Sequence, residues 1–393
     1  MKRLLIVAEG ATLAHVARPL ALARAASRSF DVVLALPAQY RWAVGDLQVE
    51  TVDLTAQSPA EFAKRLEKGD PLYDLATLEA YVADDLALIG RCQPDCILGD
   101  FRLSLGVSAR LAGVTYSALA NAYWSPYYDV GGDWPVPDLP LTHMLPVPIA
   151  RWLFNRVRPM AFRLHAGAME ALRRNHGLPG FGRDLRRVYT DADTTFYSDI
   201  PSVFRLVNAP PSQQVVGPLP WSPPVPVPDW WGDLPDDRPI AYVSMGSSGR
   251  QALSGSISRS LVDAGFRVLV TAAPDAMIEH PAVHAVKFMP GDLACERASV
   301  VICNGGSPTS QQALAAGKPV IGVASNLDQF MNMSALERAG LGVTLRADRF
   351  SAQQTAAAAR RGVEDDAWRQ RAERTSVEIG RLDAVQTILD ELR

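Results

Sequence analysis

Short runs of purely apolar residues alternate along the chain with longer segments whose apolar positions recur at helical spacing. Residues 4–8 (LLIVA) carry no polar side chain and stop at Glu9-Gly10. An Ala- and Leu-rich stretch follows over 14–26, then a second apolar run over 32–36. Strands that read as unbroken apolar runs are covered on both faces, so strand, helix, strand in this order predicts a parallel, doubly wound sheet. The pattern recurs at 96–98, before a helix over 103–111, and again at 115–119 and 195–198. It restarts at 240–244 with a helix from about 251, then at 300–303 and 320–323, each followed by a helix, over 311–316 and 330–339. From residue 350 onward the chain reads as helical and charged, and Val385, Ile388, Leu389 and Leu392 recur at helical spacing. The prediction is an α/β fold.

Between the two series lies WSPPVPVPDWWGDLPDD, which can continue neither helix nor sheet interior and marks a stiff extended linker. The expected division is a first domain over 1–216, a linker over 217–239, a second domain over 240–375 and a last helical segment over 376–393. Composition agrees with two cores: 393 residues are 48% hydrophobic and 21% charged. A net charge of −3 with no basic array excludes a nucleic-acid surface. Cys92, Cys96, Cys295 and Cys303 sit in apolar surroundings without a C-x-x-C pair and read as buried thiols of a reducing cytoplasm. The apolar run after MKR is too short for a signal peptide, and no stretch is long enough to span a membrane.

Candidate chemistry gathers at the turns that follow strands. After 300–303 come Asn304, Gly305, Gly306, Ser307, Pro308, Thr309 and Ser310, then a helix. Such a turn presents unpaired N–H groups, hydroxyl donors and the positive end of a helix dipole, which suit a phosphate or pyrophosphate. After 320–323 come Asp328 and Gln329, a carboxylate beside an amide, which suit the hydroxyls of a sugar. A weaker Gly/Ser turn with Ser247 follows 240–244. Together these describe a nucleotide-sugar site. In the first half His15 opens a helix and Asp100 ends a strand; the imidazole reads either as a base or as an ordinary helix residue, and the carboxylate as its orienting acid, as the N-cap of the next helix, or as both. Pro19 is expected within that helix's first turn. Asp191-Ala192-Asp193 has the spacing of a metal-diphosphate motif but no nucleotide-binding features around it, and reads as a solvated turn. No metal is expected.

These residues resemble the GT-B glycosyltransferases of glycosyltransferase family 1, whose bacterial members read roughly H-G-G-x-G-T-x-x-E-A-L-x-x-G-x-P, then D-Q-x-x-N, then G-x-G. The chain matches at Gly305, Gly306, Thr309, Ala313, Leu314, Gly317, Pro319, Asp328, Gln329, Asn332, Gly340 and Gly342. Asn304 stands where the family has a phosphate-contacting His, Pro308 where it has Gly, and Gln312 where it has a ribose-binding Glu; both amides keep hydrogen-bonding capacity without charge. The segment around His15 is similar to the family's Gly-His helix opening, with Ala14 for the Gly, and Phe288 takes the place of an aromatic that stacks on the nucleobase, with Gly291 for a nearby Gln. The resemblance implies two Rossmann-like domains facing an interdomain cleft, the first binding the acceptor and the second the nucleotide-sugar, with the last helical segment over 376–393 crossing back to the first domain. It also implies a UDP- or dTDP-sugar as co-substrate rather than cofactor, and His15 as catalytic base partnered by Asp100. The expected reaction is inverting, metal-independent transfer to a hydroxyl of a natural-product or lipid-like small molecule. A sugar-nucleotide epimerase and a non-catalytic partner protein are the alternative readings.

Residues 121–148 are dense in aromatics and prolines, and two readings stand for them: an acceptor wall of Tyr123, Trp124, Tyr127 and Trp134, or a stiff loop packed on its own domain. A helix over 149–172 carries Arg151, Arg156, Arg158 and Arg163 among aromatics. It reads either as a solvated helix with one buried face or as a peripheral contact with an anionic membrane.

Overall fold

The computed structural model describes residues 1–393. Seven strands form one sheet: β1 (Arg3–Ala8), β2 (Asp31–Leu36), β3 (Glu50–Asp53), β4 (Cys96–Asp100), β5 (Thr115–Ala120), β6 (Thr194–Tyr197) and β7 (Gln213–Val215), in the order β3-β2-β1-β4-β5-β6-β7. All pair parallel, with Val7 opposite Gly99 and Ala8 opposite Asp100, so β1 and β4 end level. The chain winds outward from β1 to β3, then returns to the other side of β1. In a parallel sheet of this order, ligands bind beyond the carboxyl ends at that reversal, here between β1 and β4.

Burial explains the apolar runs. Leu4 to Ala8 are 0% exposed. Leu5, Val7, Val33, Ala35 and Ile97 form one core with Leu88, Ile89, Leu105 and Ala109 from the helices that cover that face. Each of the Val, Leu and Ile side chains contributes about 1.5–3 kcal/mol on burial. On the other face the helix Ala14–Ala26 buries Val16, Leu20, Leu22 and Ala23. Pro19 lies inside this helix, beyond its first turn, and its missing N–H leaves the His15 carbonyl without the usual helical donor.

Six strands form the second sheet: β8 (Ile240–Ser244), β9 (Arg267–Thr271), β10 (Val283–Val286), β11 (Val300–Cys303), β12 (Val320–Ala324) and β13 (Gly342–Arg346), again all parallel, in the order β10-β9-β8-β11-β12-β13. Its reversal lies between β8 and β11. Val243, Val268, Val270, Ile302 and Ile321 pack with Ile257, Leu261 and Trp368 in its core.

The chain divides into two compact units, Met1–Asp133 with Trp152–Leu219 and Asp383–Arg393, and Trp134–Arg151 with Pro220–Leu382. Residues 134–151, assigned above to the first domain, thus lie in the second unit. Arg346 donates to the carbonyls of Val136 (2.7 Å) and Pro137 (3.2 Å), and Arg349 to that of Thr142 (2.7 Å). The proline-rich tract is likewise held on the second unit. Arg297 donates to the Trp231 and Leu234 carbonyls, and Arg267 pairs with Asp237 at 2.7 Å. The terminal helix Ala384–Leu392 belongs to the first unit, where Ile388 is fully buried and the Lys2 ammonium and Cys96 thiol reach the Leu392 carbonyl.

Candidate active site

In the first unit, the helix after β1 and the carboxyl end of β4 bring His15 and Asp100 together at the sheet's reversal. His15 Nδ1 lies 2.8 Å from Asp100 Oδ1. The carboxylate is 0% exposed and the imidazole side chain 18%. An arginine that the sequence reading did not single out completes the group. Arg18 Nε donates to Asp100 Oδ2 at 2.7 Å and its NH2 to Oδ1 at 2.8 Å, a two-pronged grip. Arg18 also donates to Asn121 Oδ1 at 3.0 Å, and Asn121 in turn to Asp199 at 3.0 Å. Burial works against the Asp100 charge, but Arg18 and the His15 bond outweigh it, and the carboxyl stays below its ordinary range.

Arg18 Nη2 also lies 3.4 Å from His15 Nδ1, a contact that would need a lone pair on Nδ1. The much shorter contact with the ionised carboxylate decides the tautomer: Nδ1 carries the proton and Nε2 holds the lone pair. The ring's plane is fixed by Phe101, stacked at 4.5 Å and 16°. Phe101 has φ of 61°, a left-handed backbone that costs a bulky residue energy and that clusters at functional sites. Tyr189 and Phe62 pack against Phe101 in turn.

Beneath this wall lies a second buried charge cluster, also absent from the sequence reading. Arg102 pairs with Glu9 and with Asp85, both at 2.9 Å, and all three side chains are essentially inaccessible. Tyr73 donates to Glu9, and Ser104 and Ser108 donate to Asp85. Burial pushes the Glu9 carboxyl up despite Arg102. The Glu9 backbone amide donates to the Asp100 carbonyl, tying the two strand ends together.

In the second unit, the turns after β8, β11 and β12 meet. Gly305 has φ of 81°, and a Cβ there would stand 2.8 Å from Met333 Cγ, so only glycine fits this turn. Asn304 Oδ1 accepts from the Gly306 amide at 3.0 Å and its Nδ2 donates to Ser248 Oγ at 3.2 Å. Asn332 donates to the Gly305 carbonyl at 2.8 Å and to Ser310 Oγ at 3.0 Å. The helix Ser307–Ala315 starts one turn earlier than periodicity suggested, because Pro308 occupies its first turn. The amides of Ser307 and Thr309 open the helix with no intrahelical acceptor. Ser247 is exposed on the neighbouring turn.

Asp328 is half-buried in the first turn of the helix Leu327–Arg338. Gln329 is buried and already engaged. Its Oε1 accepts from the Ser325 amide and hydroxyl (2.8 and 3.0 Å) and from the Asn326 amide, while its Nε2 donates to the Ser248 carbonyl at 3.2 Å. With Asn326 it forms a capping box, so this amide meets a ligand only by releasing one of those partners. Gln312 donates to the Trp221 carbonyl at 2.8 Å and to Ser222 Oγ at 3.2 Å, which leaves its oxygen as the group a ligand hydroxyl can address. A Cβ at Gly291 would fall 2.7 Å from that oxygen, so the glycine makes room for Gln312. Phe288 is 40% exposed.

Other sequence candidates are placed differently. Tyr123 is 0% exposed and packs on Phe204 at 5.8 Å, and Trp134 is 5% exposed, so neither offers a face to an acceptor. Trp124, edge-on to Tyr189 at 5.0 Å, and Tyr127 are half-buried. Asp191 is no solvated turn residue. It sits between Arg110 (2.9 Å) and Arg173 (2.6 Å), and Asp193 accepts from the Tyr116 amide. Asp138, His143 and Asp348 come close enough to hold an ion. Arg250 already pairs with Asp138 and Arg346 with Asp348, so the acids are compensated by the protein.

Comparison with known proteins extends this picture. Residues 261–382 match the family described as erythromycin biosynthesis protein CIII-like, C-terminal domain. The chain is 41% identical to a PGL/p-HBAD biosynthesis glycosyltransferase of Mycobacterium tuberculosis, over 96% of this chain and 89% of that one. It is 40% identical to a PGL/p-HBAD biosynthesis rhamnosyltransferase of Mycobacterium bovis, over 97% and 85%. Among solved structures it resembles the Streptomyces sp. SF2575 glycosyltransferase SsfS6 complexed with thymidine diphosphate, with a TM-score of 0.69 and 18% identity over the whole of both chains. Two parallel α/β sheets with these relatives make the fold GT-B, and the chain belongs to the glycosyltransferases of the UDP-glycosyltransferase type.

Proposed function

We propose that the protein moves a sugar from a UDP- or dTDP-sugar to a hydroxyl of a natural-product or lipid-like small molecule, with inversion and without a metal ion. The observation that carries this reading is the His15–Asp100 pair at the sheet's reversal, its carboxylate buried and its imidazole partly exposed, with Nδ1 bound and Nε2 left as a base. In the reaction, His15 Nε2 takes the acceptor's hydroxyl proton. The oxygen attacks the anomeric carbon, and the bond from that carbon to the diphosphate breaks on the opposite face. The resulting imidazolium rests against Asp100, whose orientation is set by Arg18. A positioned base contributes about 10²–10⁴ in rate.

The donor's diphosphate is assigned to the Ser307 and Thr309 amides, the second N–H of Asn304 and the hydroxyls of Ser247, Ser307 and Thr309, where fixed dipoles stabilise the departing charge. Phe288 stacks on the base, Gln312 accepts from the ribose, and Asp328 accepts from the sugar hydroxyls. Gln329 chiefly holds the turn that presents Asp328. The rhamnosyltransferase relative and the thymidine diphosphate of the structural neighbour make a dTDP-activated deoxyhexose the first donor to try. Calorimetry across UDP- and dTDP-sugars, followed by NMR of the product's anomeric centre in the presence of a chelator, tests the proposal. Inverted product with turnover unaffected by chelation is expected; retained configuration or loss of turnover on chelation refutes the mechanism.

A further inference from the structure

The helix Val147–His165 carries the feature that the transfer reaction leaves unexplained. Ala150 (0% exposed) and Phe154 (8%) face the protein. Alongside this buried stripe, Trp152 (57%), Val157, Met160 (71%) and Leu164 (66%) are exposed, with Arg156 and Arg163 exposed among them and Val157 at the border with Ala150. At 100° per residue these six positions fall within one arc of the helix. Large apolar side chains gathered on an exposed arc mark a surface that meets something apolar. The whole helix contains Arg151, Arg156, Arg158 and Arg163 and no acidic residue, in a chain whose net charge is −3. A partner for this arc is therefore apolar in depth and negative at its rim.

We propose that this face seats the protein on an anionic membrane surface. Apolar side chains enter the headgroup boundary, Trp152 sits at the level where amphipathic rings prefer to lie, and the arginines meet lipid phosphates. Arg156 already lies over the Trp152 ring at 5.2 Å, which keeps its charge at that level. A second copy of the chain is the poorer occupant, because a twofold contact through this arc sets arginine against arginine. Leu164 also lines a cleft of about 510 Å³ in the first unit, beside Tyr73 and the helix Pro59–Lys68. The lipid-like acceptor named above is the reading this extends, but membrane seating stands on the helix alone.

The test is sedimentation of the full chain with vesicles of phosphatidylcholine, and of phosphatidylcholine mixed with phosphatidylglycerol. Binding to the anionic vesicles alone, weakening as salt is raised, is expected. Arg156→Gln with Arg163→Gln, and separately Met160→Asp, should each lower partitioning roughly tenfold or more, with melting temperature unchanged because the side chains are exposed. Transfer to a soluble acceptor should be unaffected by these variants, so loss of membrane binding and loss of the catalytic reading register separately. Equal binding to both vesicles, no binding at low salt, or a concentration-dependent dimer that Met160→Asp dissolves would each overturn the proposal.

Discussion

Arg18 changes how the His15–Asp100 pair works. A carboxylate shared with a buried guanidinium is held in place and kept ionised, but part of its charge is already balanced before the imidazole takes a proton. The geometry thus makes Asp100 chiefly a group that orients the His15 ring. Replacing His15 by Ala should lower kcat by about 10²-fold or more with donor affinity unchanged. A loss under tenfold, measured by initial rates beside calorimetry, would remove His15 from the role of base. Arg18→Met leaves Asp100 buried without its partner, and breaking such a pair costs about 3–5 kcal/mol. Urea unfolding should show this, with part of the loss recovered in Arg18→Met combined with Asp100→Asn. The carboxyl's lowered folded pKa gives a pH signature. Its contribution is complete above the ordinary carboxylate range and fades as pH falls through the lowered value. Wild type and Asp100→Asn should thus converge in melting temperature only in strong acid.

At the scale of elements, the site proposed for the donor depends on three turns held in register by side chains from one another. Gly305→Ala must strain a left-handed turn and displace Met333, at a cost of about 1–3 kcal/mol. It should weaken nucleotide-sugar binding tenfold or more by calorimetry, whereas Gly69→Ala, equally left-handed but in the first unit and with open space at its Cβ, should leave binding unchanged although it too costs stability. The strands around these turns were legible in the sequence because burial on both faces writes itself as apolar runs; Val300–Cys303 falls where the pattern placed it. The turn residues were legible through Gly, Ser and Asn at strand ends. Arg18 was not, although it stands three residues from His15 on one helix, because a charged side chain in a sequence looks solvated until its buried acid is located. Arg102, Glu9 and Asp85 were hidden for the same reason. Tyr123 and Trp134 erred the other way: aromatic density in a loop marks contact, but does not say whether the contact is with ligand or with core.

For the molecule as a whole, residues 134–151 and the tract from Pro220 belong with the second unit, while residues 383–393 return to the first. Ending the chain at Leu382 strips Ile388, Leu389 and Leu392 from the first core, each contributing about 1.5–3 kcal/mol. Calorimetry of that truncation should show the first unit melting earlier with the second little changed; a single transition shifted as one would mean the units unfold together.

That return has a consequence during synthesis. A domain usually settles as it leaves the ribosome, starting from its amino end. Here the first unit, whose β1 precedes the second unit in the chain, lacks the Ile388, Leu389 and Leu392 side chains of its terminal helix until the entire second unit has been made, whereas the second unit waits only on residues 134–151, already made. The first unit is thus completed after the second, and a stalled or clipped nascent chain would leave the apolar surface that the terminal helix covers open to aggregation while the second unit stands folded.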